Sequence, residues 1–97
     1  MRIDVIGRHL EVTDTIREFA TGKAEKLLRF FDGTQLITIV FEKGKKGAFD
    51  VEIRVDVEKH EDFISHASGE DVYGVIELAV EKAARQLKDF KERLKQG

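Results

Sequence analysis

Residues 49–58, FDVEIRVDVE, alternate strictly between apolar and charged side chains. Successive side chains of a β-strand point to opposite faces, so this segment predicts a strand with one buried face and one solvated face. Three other segments have β-branched and aromatic character: residues 2–7, 36–43 and 63–67. The Lys- and Gly-rich residues 43–47 and the polar residues 60–62 predict turns. The sequence therefore predicts three consecutive strands joined by short turns, with one strand upstream of them.

Two segments with helical periodicity complete the chain. The first is predicted from about Asp14 to Phe31, with Thr13 as the N-cap and Gly33 as the stop. Its apolar face would contain Ile16, Phe19, Ala20, Ala24, Leu27, Phe30 and Phe31. The second is predicted from about Val72 to Lys95, with Asp71 or Ser68 as the cap. Its apolar face would contain Val72, Tyr73, Ile76, Ala79, Val80, Ala83, Leu87, Phe90 and Leu94.

The resulting order, β-α-β-β-β-α, predicts an α+β fold. The first two strands flank a helix, which favours parallel neighbours joined by a crossover, and the later strands form an antiparallel meander. The simplest architecture is a two-layer sandwich, with a four-stranded mixed sheet and both helices on one face. The chain has 97 residues and no Pro, and it contains no low-complexity linker. We therefore expect residues 1–97 to form a single domain.

Composition argues against several classes of protein. The chain has no Cys, which excludes disulfides, thiolate metal sites and a Cys nucleophile. No apolar run approaches the roughly 20 residues of a membrane span, and no secretory signal is visible. The sequence therefore predicts a cytoplasmic protein that does not bind a membrane.

Candidate catalytic groups are few. His9, His60 and His66 do not share the i, i+4 helical spacing of metal ligands. Ser65 and Ser68 flank His66 but lie in no nucleophile elbow, and no Gly-rich phosphate loop is present. We therefore expect a non-enzymatic protein without a cofactor, metal or small-molecule substrate. A small enzyme would require titratable groups converging in a pocket.

The formal net charge of −2 hides a segregation of charge along the chain. Residues 42–71 contain nine acidic and five basic residues, whereas residues 82–95 contain six basic and two acidic ones. The first helix adds Arg17, Lys23, Lys26 and Arg29. The residues expected on the solvated sheet face are Asp4, Asp50, Glu52, Asp56 and Glu58. We therefore predict an acidic sheet face and a basic helix face; the latter is either an ordinary solvated surface or a phosphate-binding one.

Lys23 is unusual because its helical position lies within the apolar face, between Ile16 and Phe19. Two interpretations follow. Its aliphatic stem covers the core while the ammonium reaches solvent, or the ammonium lies between the two helices and faces a phosphate.

Several spaced motifs resemble one known family. Residues 7–17 are GRHLEVTDTIR, residues 23–27 are KAEKL and residues 30–32 are FFD. Residues 71–76, DVYGVI, residues 82–87, KAARQL, and Lys91 continue the likeness, as does Ala67. Together they resemble the ribosome hibernation promoting factor family, which includes the ribosome-associated inhibitor once called a sigma-factor modulation protein. The likeness covers essentially the whole chain.

The resemblance implies a β-α-β-β-β-α sandwich that binds the small ribosomal subunit at the decoding region. Such a protein silences translation during stress or stationary phase by occluding tRNA and mRNA. The positions that fit the family's rRNA-binding motif are Lys23, Lys26, Lys82, Arg85 and Lys91, and Lys88 is added on its position alone. The partner expected from the resemblance is the rRNA of the small subunit.

The sequence departs from the family at Asp89, where members commonly carry a lysine. Long members also carry a C-terminal domain that dimerises ribosomes, and self-sufficient ribosome dimerisation by that route is not expected here. We expect a monomer or weak dimer. An alternative function is a protein–protein interaction module with the same fold and weakened or lost ribosome binding, which would use the acidic sheet face or an edge strand.

Overall fold

The computed structural model describes residues 2–29 and 33–96. Four strands and two α-helices occur in the predicted order β-α-β-β-β-α. Their bounds are β1 Arg2–Arg8, α1 Asp14–Glu25, β2 Thr34–Lys43, β3 Phe49–Val57, β4 Phe63–Gly69 and α2 Val72–Gln96. A 3₁₀ turn, Lys26–Arg29, continues α1, and a second one, Lys45–Gly47, connects β2 to β3.

The sheet is mixed, and its strands lie side by side in chain order. β1 runs parallel to β2, with Val5 opposite Ile39, while β2, β3 and β4 form an antiparallel meander in which Ile53 lies opposite both Ile39 and Ser65. This confirms the predicted α+β fold. Within the described residues, no helix has the length and hydropathy needed to span a membrane.

The core lies between one face of the sheet and the two helices. Alternate residues of β2 and β3 are buried there, among them Ile39 and Ile53. Small residues of α1, Ala20 and Ala24, are fully buried and allow the helix to approach the sheet closely, and Leu87 of α2 is also fully buried. Each fully buried Ile or Leu contributes roughly 2 kcal/mol through removal of apolar surface from water. Both helices therefore share one layer, as predicted.

Both α-helices begin at a side-chain cap. The Thr13 hydroxyl accepts a hydrogen bond from the Ile16 amide at 3.2 Å, which confirms the predicted N-cap of α1. Asp71 accepts one from the Tyr73 amide at 3.1 Å. Of the two caps considered for α2, the structure therefore selects Asp71. The Ser68 hydroxyl instead donates to Asp50 across the sheet.

Side chains from the helices reach main-chain carbonyls of both outer strands. Arg17 of α1 donates to the Val5 carbonyl of β1 at 3.2 Å. On the opposite side, Lys82 Nζ donates to the His66 carbonyl at 2.8 Å and Gln86 Nε2 donates to the Ile64 carbonyl at 2.9 Å. These contacts tie the helix layer to the two outer strands, whose unpaired polar groups are otherwise available to other chains.

Three details of the predicted helices differ. The α-helical part of α1 ends at Glu25 and is followed by the 3₁₀ turn Lys26–Arg29. The predicted positions Phe30 and Phe31 lie outside the described residues. Tyr73 and Leu94 of the predicted apolar face are 40% and 56% exposed, whereas Val75 is buried. Leu94 is exposed because Gln86 already lies beside Ile64, near the start of β4, so the last turns of α2 extend past the sheet.

Candidate nucleic-acid interface

The two helices run side by side in the same direction and enclose a shallow groove. Phe19 of α1 contacts Tyr73 of α2 edge-on, with 4.9 Å between ring centroids. One turn further along each helix, Lys23 faces Glu77. The groove is lined by Lys23, Lys26, Leu27, Glu77, Val80, Glu81 and Ala84. Its floor is apolar and its rims are charged.

Lys23 lies in this groove, with its side chain partly covered and its ammonium between the two helices. Its side chain is 31% exposed, and Nζ lies 5.4 Å from the centroid of the Phe19 ring. The same ammonium is 3.5 Å from Glu77 Oε1. Lys23 is thus a partly covered cation held by an aromatic face and one carboxylate, rather than a free side chain. Lys26 is exposed at the start of the 3₁₀ turn and lines the same groove.

Lys82 and Arg85 lie on the other flank of α2, beside β4. They line a depression together with Gln86, Asp89 and the β4 residues 64–66. The ammonium of Lys82 is held by the His66 carbonyl, which is neutral, so its positive charge is not cancelled by that contact. Arg85 is exposed and, among the described residues, its guanidinium forms no ion pair or hydrogen bond.

Lys88 and Lys91 occupy the C-terminal half of α2. Both side chains are exposed, and neither has an ion-pair or hydrogen-bond partner within residues 2–29 and 33–96. Residues 88 and 91 are separated by roughly 60° around the helix, so they share one side of it. The six predicted cations therefore lie in three groups: Lys23 with Lys26, Lys82 with Arg85, and Lys88 with Lys91.

Two carboxylates lie between the first two groups. Glu77 and Glu81 are exposed on α2 and line the groove opposite Lys23 and Lys26. The predicted basic helix face thus also contains an acidic pair, which separates the cations of α1 from those beside β4. A signal for this pair was present in the sequence: residues 77 and 81 are four apart, which places them on one side of a helix next to the apolar positions 73, 80 and 84.

The opposite, solvated face of the sheet carries both signs of charge. The Arg2 guanidinium donates to Asp4 at 2.9 Å, and this hydrogen bond holds the pKa of the Asp4 carboxyl below its ordinary value. Arg54 donates to Glu52 at 2.6 Å, which raises the pKa of Arg54. The Glu52 carboxylate also lies 3.6 Å from His66 Nε2. The predicted acidic character of this face is thus reduced by guanidinium groups on β1 and β3.

The other candidate groups stay apart. His60 stacks on Phe63 with 4.5 Å between ring centroids, and His66 lies on the solvated sheet face. Ser65 is buried, and its hydroxyl donates to the Ala79 carbonyl at 3.0 Å. Within the part of the chain that the structure describes, no three His, Asp or Glu side chains are placed to hold a metal ion.

The fold and this surface define a class of protein: a small two-layer α+β domain that presents exposed cations from its helices. Residues 3–95 match the family described as "Sigma 54 modulation protein / S30EA ribosomal protein". The chain belongs to this family, which confirms the resemblance recognised in its motifs.

Named relatives span nearly the whole chain. A ribosome hibernation promoting factor of Escherichia coli (strain K12) is 34% identical over 96 residues, covering 99% of each chain. The protein of the same name from Klebsiella oxytoca is 35% identical over 96 residues, again covering 99% of each chain. These relatives are named for ribosome hibernation and not for a catalytic activity.

Two solved structures have the same fold. The N-terminal domain of Thermus thermophilus Protein Y is 32% identical, with a TM-score of 0.80, and the match covers 93% of this chain and 99% of that one. A ribosomal subunit interface protein from Coxiella burnetii superposes with a TM-score of 0.85 at 23% identity, over 95% of this chain and 99% of that one. The second likeness concerns the fold alone.

Proposed function

We propose that this protein is a ribosome-associated translation inhibitor that binds small-subunit rRNA at the decoding region. Membership of the family and full-length relatives named as hibernation promoting factors support a ribosome-associated function that limits translation. A ribosome-bound protein works in the cytoplasm, and hibernation is a response to stress or stationary phase. On this proposal residues 1–97 act as one domain, as a monomer or weak dimer.

The observation that carries the RNA-binding part of the proposal is the set of uncompensated cations on α2. Arg85, Lys88 and Lys91 have no carboxylate partner among the described residues, and Lys82 contacts a neutral carbonyl. Basic groups on one rigid helix are suited to bind the phosphates of a polynucleotide, which fix the position of a protein on RNA. They are present although the chain as a whole has a net charge of −2.

The proposed mechanism is occlusion and needs no bond-making step. The two-layer domain is held by phosphate contacts and fills the space that tRNA and mRNA would occupy. If Lys23, Lys26, Lys82, Arg85, Lys88 and Lys91 each neutralise one phosphate, the logarithm of the affinity falls with the logarithm of the salt concentration with a slope of about −5. Raising salt from about 50 to about 200 mM then weakens binding about 1,000-fold. No cofactor or small-molecule substrate enters this mechanism.

The test is a double charge reversal, Lys82→Glu with Arg85→Glu, assayed by co-sedimentation with small ribosomal subunits at two salt concentrations. We expect the variant to stay in the top fractions while its circular dichroism is unchanged. The matched control is Lys43→Glu with Lys45→Glu, which changes the net charge equally at the β2–β3 connection. Retained binding in the α2 variant, or equal loss in the control, contradicts the site assignment.

A second candidate function is a protein–protein interaction module that has lost ribosome binding. The observation that favours it is the solvated sheet face, where Ile6 and Ile64 are 44% and 39% exposed among charged side chains. Affinity purification at low salt distinguishes the two functions. Recovery of a protein partner without small subunits would support the module and contradict the ribosomal proposal.

A further inference from the structure

The acidic pair Glu77 and Glu81 interrupts the cationic helix surface at its centre. Lys23 and Lys26 face the pair from across the groove. On α2 itself, Lys82 lies five residues beyond Glu77, which places it about 140° further around the helix axis. A line from the cations of α1 to those beside β4 therefore passes over Glu77 and Glu81.

A single RNA strand and a folded RNA meet this arrangement differently. Proteins that bind single strands without sequence preference use a continuous positive groove that follows the backbone, with aromatic rings for the bases. Here, a strand running from Lys23 to Lys82 would bring its phosphates against two carboxylates. A folded RNA presents separate backbone segments, which can contact the two flanks of α2 about a helix diameter apart, roughly 10 Å.

We propose that Glu77 and Glu81 determine selectivity by excluding single-stranded RNA from the groove while permitting folded RNA whose backbone segments lie on either side of it. The inference rests on the proposed function and specifies its RNA class. Glu77 acts partly through Lys23, whose ammonium it holds at 3.5 Å. Glu81 has no side-chain partner in the described parts of the chain, so its carboxylate meets an incoming phosphate directly.

The expected size of the effect follows from the repulsion between unit charges. In water, a carboxylate about 6 Å from a phosphate weakens binding about threefold. Two such carboxylates therefore weaken single-strand binding about tenfold. A folded RNA that keeps its phosphates on the flanks avoids this penalty.

Two probes are used, both at about 50 mM salt. Binding to a fluorescein-labelled oligouridine of about 20 nucleotides is measured by fluorescence anisotropy, and binding to purified small ribosomal subunits is measured by co-sedimentation. The variants are Glu77→Gln with Glu81→Gln, and Glu81→Gln alone. The single variant leaves the Lys23–Glu77 pair intact and thus separates repulsion from any change in Lys23. The matched control is Glu42→Gln with Asp56→Asn, which removes the same charge from the solvated sheet face.

We expect the double variant to bind oligouridine about tenfold more tightly and Glu81→Gln about threefold more tightly, with a smaller gain for both variants in binding to subunits. The control should bind oligouridine like the wild type. The inference is overturned if the variants show no gain on oligouridine, if the control gains equally, or if binding to subunits rises by the same factor. Failure of the wild type to co-sediment with subunits would instead contradict the proposed function, while the oligouridine comparison would still decide what the two carboxylates do.

Discussion

Replacing Lys82 by Ala tests two consequences of one contact. The Lys82 ammonium donates to the His66 carbonyl at 2.8 Å and so joins α2 to the outer strand β4. Because the acceptor is neutral, the same ammonium keeps its charge and two further donor hydrogens for a phosphate. The substitution should therefore reduce both the stability of the fold and the salt dependence of RNA binding.

The size of each effect can be worked out. Loss of this exposed, charge-assisted hydrogen bond should lower the free energy of unfolding by about 1 kcal/mol. For a chain of 97 residues this corresponds to a decrease in Tm of roughly 4–5 °C. Loss of one phosphate contact should reduce the salt slope by about 0.9, so that the ratio of affinities at about 50 and about 200 mM salt falls about 3.5-fold.

The assays are thermal unfolding followed by circular dichroism, and subunit binding across a series of salt concentrations. Lys88→Ala is the matched control, because it makes the same change of residue in the same helix. Lys88 has no side-chain hydrogen bond or ion pair among the described residues. The control should reduce the salt slope equally while leaving Tm near the wild-type value.

Equal Tm values for Lys82→Ala and Lys88→Ala would refute the stabilising role of the carbonyl contact. An unchanged salt slope in both variants would refute the idea that these α2 cations neutralise phosphates. The two readouts are independent, because Tm reports the contact with the His66 carbonyl and the salt slope reports the contact with phosphate.

Two further predictions concern the sheet. Ser65→Ala removes the buried hydrogen bond to the Ala79 carbonyl and should lower the free energy of unfolding, measured in urea, by about 1 kcal/mol. Ser68→Ala, at an exposed site, should lower it much less. Equal effects of the two substitutions would contradict the stabilising role of the Ser65 hydrogen bond. The hydrogen bond from Arg2 lowers the pKa of Asp4 in the folded state. The Arg2–Asp4 pair therefore stabilises the fold fully above the unfolded-state pKa of Asp, about 3.9, and this stabilisation is lost as the pH falls through the lower folded-state pKa. Arg2→Ala should therefore raise the pKa of Asp4 in an NMR titration, and an unchanged pKa would show that the ion pair does not form in solution.

Local patterns were sufficient to predict most of the fold. The strict alternation of β3 defined its buried face, Thr13 marked the start of α1, and Asp71 was one of the two residues considered as the cap of α2. These signals depend on residues a few positions apart, which a sequence displays directly. The exposed position of Leu94 was not predictable in the same way, because it depends on how far α2 runs past the sheet.

The candidate site was predictable as a set of cations but not as an arrangement. The Lys82 contact joins residues 16 positions apart in the chain, and its acceptor is a main-chain carbonyl that no side-chain pattern identifies. The pairing of Lys23 with Glu77 depends on the alignment of α1 with α2, which is set by packing in the core. Periodicity places each charge on a face of its own helix, while the distance between charges on two helices is a tertiary property.

The hydrogen bonds that Arg17, Lys82 and Gln86 make to outer-strand carbonyls bear on how this protein behaves when it is abundant. An unprotected edge strand can pair with strands of other molecules and so begin aggregation. Here three long side chains bind main-chain carbonyls of the two edge strands, β1 and β4. A neighbouring copy of the protein must displace these side chains before one of its strands can pair with either edge. Resistance to edge-to-edge association is thus supplied by these side chains, in a chain that has no Cys with which to form a disulfide.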